Sequence, residues 1–136
     1  MFARSFAISW IAYFGYYLCR KNLSVLMPYL KSEAGLSSND LASAVFGYSL
    51  MYSAGQFAMG RLADRTGARW VAGIGMLLSA LMSSLMAWPP WIGSAGVLIA
   101  LQSVNGFSQA SGWPSVLKLA SDWFPSGNRG VWMGWW

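Results

Sequence analysis

Between Arg69 and Lys118 the chain runs through 48 residues without a charged side chain, and from Leu41 to Gly60 it is again uncharged. A soluble domain carries roughly 25% charged residues, so runs of this length belong in a solvent where charge is costly. The segment between them, Gly60 to Arg69, concentrates Arg61, Asp64, Arg65 and Arg69 in one short link. A compact basic link between apolar runs is the pattern of a membrane protein whose Arg-rich loop stays in the cytoplasm. The whole chain agrees, with 56% hydrophobic and only 10% charged residues. Backbone polar groups in lipid must be satisfied within the spanning segment, so these runs are expected to be helices and the fold class all-α, embedded in the lipid bilayer.

The punctuation divides the chain into helices at about 5–30, 41–62, 68–88 and 93–123, with a fifth beginning near 130. The first would be about 39 Å long, enough to cross the hydrocarbon core. Pro28 kinks or closes it, and Lys31 to Asp40 makes a polar connection in which Ser37, Ser38, Asn39 and Asp40 are available caps. Trp88, Pro89, Pro90 and Trp91 read as an outer turn in an aromatic belt. Asp122 to Arg129 makes the second cytoplasmic connection. The basic links place the amino terminus inside. A cleaved signal peptide over Ser5 to Cys19 fits less well, because no small-residue cleavage pattern precedes Cys19 and Asn22 to Leu30 continues largely apolar.

Several functional classes are excluded by the inventory. The net charge of +5 is scattered among apolar spans and forms no patch for nucleic acid. One cysteine, Cys19, and no histidine leave redox and zinc chemistry without ligands. No cofactor and no metal are expected, and no enzymatic chemistry.

The chemistry that remains sits inside the spans. Arg20 and Lys21 lie well within the first helix, where a cation is expensive and is a functional candidate unless it snorkels to the surface. Tyr13, Tyr17, Arg20 and Ser24 recur at three and four residues, placing two phenols, a guanidinium and a hydroxyl on one face. That face suits an anion with several oxygens, since Arg offers a planar fork and Lys21, offset by one position, a point charge. Tyr48, Tyr52 and Gln56 follow at steps of four on the second helix, the tyrosines read as packing or interfacial anchors. Gly75, Ser79 and Ser83 give the third helix a small face for a neighbour. On the fourth, Gln102, Asn105, Gln109 and Trp113 align, as ligand contacts or as amide glue between helices.

Gly60, Leu62, Asp64, Arg65, Gly67 and Arg69 match the G-x-L-x-D-R-x-G-x-R link that joins the second and third helices of the major facilitator superfamily. The resemblance narrows at Tyr16-Tyr17-Leu18-Cys19-Arg20-Lys21-Asn22, Met27-Pro28, Asn105-Gly106-Phe107-Ser108-Gln109 and Gly112-Trp113-Pro114. These resemble the organophosphate:phosphate antiporter family and cover nearly the whole chain in order. The resemblance implies a major facilitator superfamily fold of which this chain is the amino-terminal part only, four transmembrane helices and the start of a fifth. It further implies two six-helix halves, a central site between them and alternating access in a cell inner (plasma) membrane. The ligands implied are an organic phosphate, such as a sugar phosphate or glycerol phosphate, and inorganic phosphate. Arg20 would grip the phosphoryl group, with Lys21, Tyr13, Tyr17, Gln56, Asn105, Gln109 and Trp113 around it. Gly60, Asp64, Arg65, Gly67 and Arg69 would form the loop that moves with the helices. Gln56 stands where the family's transporters carry a Lys, and a second family Arg belongs to the missing carboxyl-terminal half. A membrane sensor of sugar phosphate, signalling to a kinase, is built from the same elements. A self-contained four-helix exporter fits poorly, because Glu33, Asp40, Asp64 and Asp122 all lie at helix ends or in links.

Overall fold

The computed structural model describes residues 2–88, 93–123 and 127–135, and among these the chain is helical without strands. The elements are α1 (Phe2–Ser32), α2 (Ser38–Thr66), α3 (Ala68–Met86), α4 (Ala95–Gln109), α5 (Gly112–Trp123) and α6 (Arg129–Trp135). By length and composition alone, α3 is the one described helix apolar enough to cross a membrane. At 31 and 29 residues, α1 and α2 exceed the roughly 20 that a span needs.

Local chemistry sets the ends. Pro28 stands inside α1 and removes one backbone donor, yet the helix runs on to Ser32, whose hydroxyl donates back to the Pro28 carbonyl at 3.1 Å. The α2 start is a complete capping box. Asp40 N–H donates to Ser37 Oγ at 3.1 Å and Ser37 N–H donates to Asp40 Oδ2 at 2.9 Å, so two orphan donors are satisfied reciprocally. The Ser37 hydroxyl, which donates to Asp40 Oδ2 at 2.6 Å, and then the Ser37 N–H hold the Asp40 carboxyl below the usual carboxylate range. Leu36 and Leu41, either side of the box, are both buried in the same apolar cluster and staple the entry of the chain.

The basic link is shorter than the sequence suggests. α2 continues through Asp64 and Arg65 to Thr66, and Gly67 alone separates it from α3. Gly67 makes the reversal at φ 96°, a conformation that glycine adopts without steric cost. The fourth span is divided. Its two helices, α4 and α5, are separated by Ala110 and Ser111, where Ala110 N–H donates to Gly106 O and Ser111 N–H to Ser108 O. Pro114 is the physical cause, because it cannot donate to the Ala110 carbonyl and its ring crowds that group. Of the expected outer turn, Pro89, Pro90 and Trp91 lie outside the described residues. So do Pro125 and Ser126 of the second basic connection.

Apolar clusters close the two ends of the bundle. Leu23, Leu30, Leu36, Leu41, Ala44, Met86 and Leu98 form one, and Ala63, Ala68 and Val71, with Met59 and Leu119, form the other. Between them the interior is polar: Ser79, Gln102, Asn105, Ser108, Gln109, Ser111 and Ser115 are all buried. Large apolar side chains face outward instead, with Phe57 83% and Trp70 72% exposed. Apolar outside and hydrogen-bonded polar groups between helices is the arrangement expected of a bundle in lipid.

Candidate functional site

α1 rests on α3 and α5 and turns its Tyr13, Tyr17 and Arg20 side toward α2. The three- and four-residue spacing brings Tyr13 and Tyr17 edge to face, with ring centroids 5.4 Å apart. Arg20 Cζ then lies 5.2 Å from the Tyr17 ring centroid and 5.0 Å from that of Tyr52 on α2. Tyr52 is itself stacked on Tyr48, centroids 6.0 Å apart and planes at 11°. Trp113, at the start of α5, closes the group with its ring 6.2 Å from Tyr13. Three helices thus supply one aromatic box around a single guanidinium.

The electrostatics of the box are unusual. Among the described residues no carboxylate pairs with Arg20, and its charge faces the rings of Tyr17 and Tyr52. Its Nε is buried without a hydrogen-bond partner, as is the Tyr48 hydroxyl. The guanidinium's donors point in its own plane, and the one at Nε is not taken by any protein acceptor. An oxyanion arriving there would meet an unsatisfied buried donor and a positive charge with no competing anion, both of which favour its binding.

Not every residue expected around the ligand is brought to this box. Lys21 and Ser24 are exposed, Lys21 on a different side of α1. Gln56 is half-buried, one helical turn beyond Tyr52. Asn105 and Gln109 are each 1% exposed and belong to a hydrogen-bond chain through the bundle. Gln109 Nε2 donates to the Tyr16 carbonyl at 3.0 Å and to Ser79 Oγ at 2.9 Å. Ser79 donates to Asn105 Oδ1 at 2.6 Å, and Asn105 Nδ2 to Gln102 Oε1 at 3.4 Å. The small face of α3 is therefore a polar seam between α1 and α4.

The loop residues also take definite places. Asp64 accepts from Lys118 Nζ at 2.6 Å, tying the end of α2 to α5, while Arg65 and Arg69 are exposed at the same end. Gly60 sits beneath Pro114. Tyr52 and Tyr48 are the box members that the spacing rule alone left as packing residues. Their four-residue register with Gln56 was visible, but nothing local states which helix that stripe faces. Tyr16 and Ser79 likewise read as ordinary bundle residues. Among the described residues no three His, Cys, Asp or Glu side chains gather as a metal site.

Residues 9–136 match the Major Facilitator Superfamily. The chain is 35% identical over 127 residues to the glycerol-3-phosphate transporter of Bacillus subtilis (strain 168), covering 93% of this chain and 28% of that protein. It is 27% identical over 139 residues to the hexose-6-phosphate:phosphate antiporter of Escherichia coli (strain K12), covering 99% of this chain and 30% of the relative. The membrane sensor protein UhpC of the same organism is 27% identical over 127 residues, 93% of this chain and 28% of the sensor. The chain therefore spans less than a third of the length of these relatives. No solved structure matches it.

Proposed function

This chain belongs to the Major Facilitator Superfamily, and from that premise we propose that it forms the amino-terminal part of a membrane antiporter exchanging an organic phosphate ester for inorganic phosphate. The observation that carries this reading is Arg20, within cation–π distance of the rings of Tyr17 and Tyr52 with a buried Nε that has no hydrogen-bond partner. A desolvated guanidinium without a protein carboxylate binds anions with several oxygens, and phosphate matches its fork. The relatives' names, a glycerol-3-phosphate transporter and a hexose-6-phosphate:phosphate antiporter, agree with a ligand that always carries a phosphoryl group. In this mechanism phosphate and ester alternately neutralise Arg20 and a cation of the other half, biasing the protein between inward- and outward-facing states. Tyr13 and Trp113 would border the organic part of the ester, and Gln56 would offer a neutral amide. The setting is a cell inner membrane with the amino terminus in the cytoplasm.

A sensor of external sugar phosphate, passing its signal to a kinase, is the second reading. Gln56, neutral where transporters of the family are expected to carry a cation, and the likeness to UhpC favour it. The two separate in proteoliposomes holding the full-length protein. Antiport predicts that radiolabelled phosphate outside exchanges for unlabelled phosphate or ester inside, with no uptake into vesicles lacking an internal phosphate compound. Saturable phosphate binding without exchange would overturn antiport in favour of the sensor.

A further inference from the structure

Beside the aromatic box, α1 is held at successive points by α3, α4 and the α4–α5 turn. Tyr16 Oη donates to the Ala72 carbonyl at 2.6 Å and shares a 2.8 Å bond with Ser111 Oγ. Ser83 Oγ donates to the Cys19 carbonyl at 3.4 Å. Gln109 Nε2 donates to the Tyr16 carbonyl at 3.0 Å. In an α-helix the carbonyl of residue i accepts the N–H of residue i+4, so Gln109 shares the very acceptor that carries the Arg20 backbone.

The orientation of that amide is dictated by its partners. A carbonyl can only accept, and the Ser79 hydroxyl hydrogen is committed to Asn105 Oδ1, so both neighbours require the NH2 end of Gln109. Its Oε1 is left buried with no partner, a cost accepted to keep two donations in place. An amide so committed has no donor free to point at a ligand in the box.

We propose that Gln109 is a positioning residue for Arg20. It fixes the α1 turn at the Tyr16 carbonyl, and so sets where the guanidinium meets phosphate without touching phosphate itself. This rests on Arg20 being the phosphate ligand. Directional bonds at Tyr16 and Cys19 tie α1 to three elements, α3, α4 and the α4–α5 turn, beside the ring contacts of the box. A site needs its supporting shell fixed to within about half an ångström, and a misplacement of about 1 Å costs on the order of a hundredfold.

The test is equilibrium binding of inorganic phosphate and of glycerol 3-phosphate to purified full-length Gln109→Leu, Arg20→Lys and the double variant. Gln109→Leu should weaken both ligands by the same factor, about tenfold, as expected for a sub-ångström displacement. It should add little on top of Arg20→Lys, because once the fork is gone its placement no longer matters. Four results overturn the proposal: parent affinity in folded Gln109→Leu, even with a lowered Tm; a loss confined to the ester; full additivity with Arg20→Lys; or no effect of Arg20→Lys alone. The last is seen in a separate single variant and removes the phosphate reading as well. Should Gln109→Leu fail to fold, Gln109→Met keeps the length of the side chain and still removes the donation to the Tyr16 carbonyl. It should weaken both ligands by about tenfold, and parent affinity in that variant would overturn the proposal.

Discussion

A guanidinium set against two phenol rings responds to ligand differently from one paired with a carboxylate, because no protein anion has to be displaced first. Arg20 has ring contacts at 5.2 and 5.0 Å, each worth about 0.5–2 kcal/mol, enough to hold the side chain and weak enough to yield to phosphate. Arg20→Lys keeps the charge and loses the planar fork. Losing one charge-assisted bond of about 1.5–3 kcal/mol should weaken inorganic phosphate binding by roughly tenfold to a hundredfold. Lys21→Ala should change binding much less, since Lys21 is exposed on another side of the helix. Titration calorimetry on both folded variants checks the pair, and loss of binding in Lys21→Ala with parent affinity in Arg20→Lys would mean the wrong cation was assigned. The Tyr13, Tyr17 and Arg20 face was legible because helical spacing is local. Tyr52 was not, because its role depends on which way α2 is rotated against α1. The amides of Asn105 and Gln109 were ambiguous for the same reason, since ligand contact and interhelical bonding call for the same side chains.

Helices, and above all their junctions, depend on small residues at close approach. At the crossing of α2 and α4, a Cβ added at Gly106 would run into the Tyr48 carbonyl, carbonyl carbon and Cα. Backbone cannot rotate away as a flexible side chain can, so the two helices would have to separate. Overpacking typically costs about 1–3 kcal/mol, and separating this pair also moves Tyr48 and Tyr52, which sit on the same stretch of α2. Gly106→Val should therefore lower the thermal unfolding temperature in detergent and weaken phosphate binding together, whereas Gly96→Val, with open space around its Cβ position, should do neither. Equal behaviour of the two variants would mean the crossing is looser than described. The sequence announced the helices well, through uncharged runs, the Ser37 to Asp40 cap and the glycines. It placed the end of α2 a turn early because Asp64 and Arg65 resemble loop residues when read singly, while in the fold they form the last exposed turn of a helix. The break at Ala110 and Ser111 was signalled by Pro114, but an apolar run on both sides argued for one continuous span.

For the molecule as a whole, orientation follows from which end holds the positive charge. Arg61, Arg65 and Arg69 gather around the α2–α3 junction, and the bond of 2.6 Å between Lys118 and Asp64 brings a fourth cation to that end. The opposite end carries Glu33 and Asp40 with Lys31 around the α1–α2 connection. Lys and Arg in short links are retained on the cytoplasmic side, and acidic residues contribute little to the choice. The Gly67 junction should therefore face the cytoplasm and the Ser37 cap the outside. Thr66 and Ser38 are both exposed, so each can report its side once Cys19 is replaced by Ser. In intact cells a membrane-impermeant maleimide should label Ser38→Cys and leave Thr66→Cys unlabelled until the membrane is opened. The control matters because Thr66 Oγ1 donates to the Leu62 carbonyl at 2.8 Å, and labelling after permeabilisation shows that a cysteine there is reachable at all. Labelling of Thr66→Cys from outside in sealed cells, with Ser38→Cys protected, would invert the topology. It would also put the basic junction on the wrong face for a positive-inside protein, leaving Arg61, Arg65 and Arg69 without a topological reason to cluster.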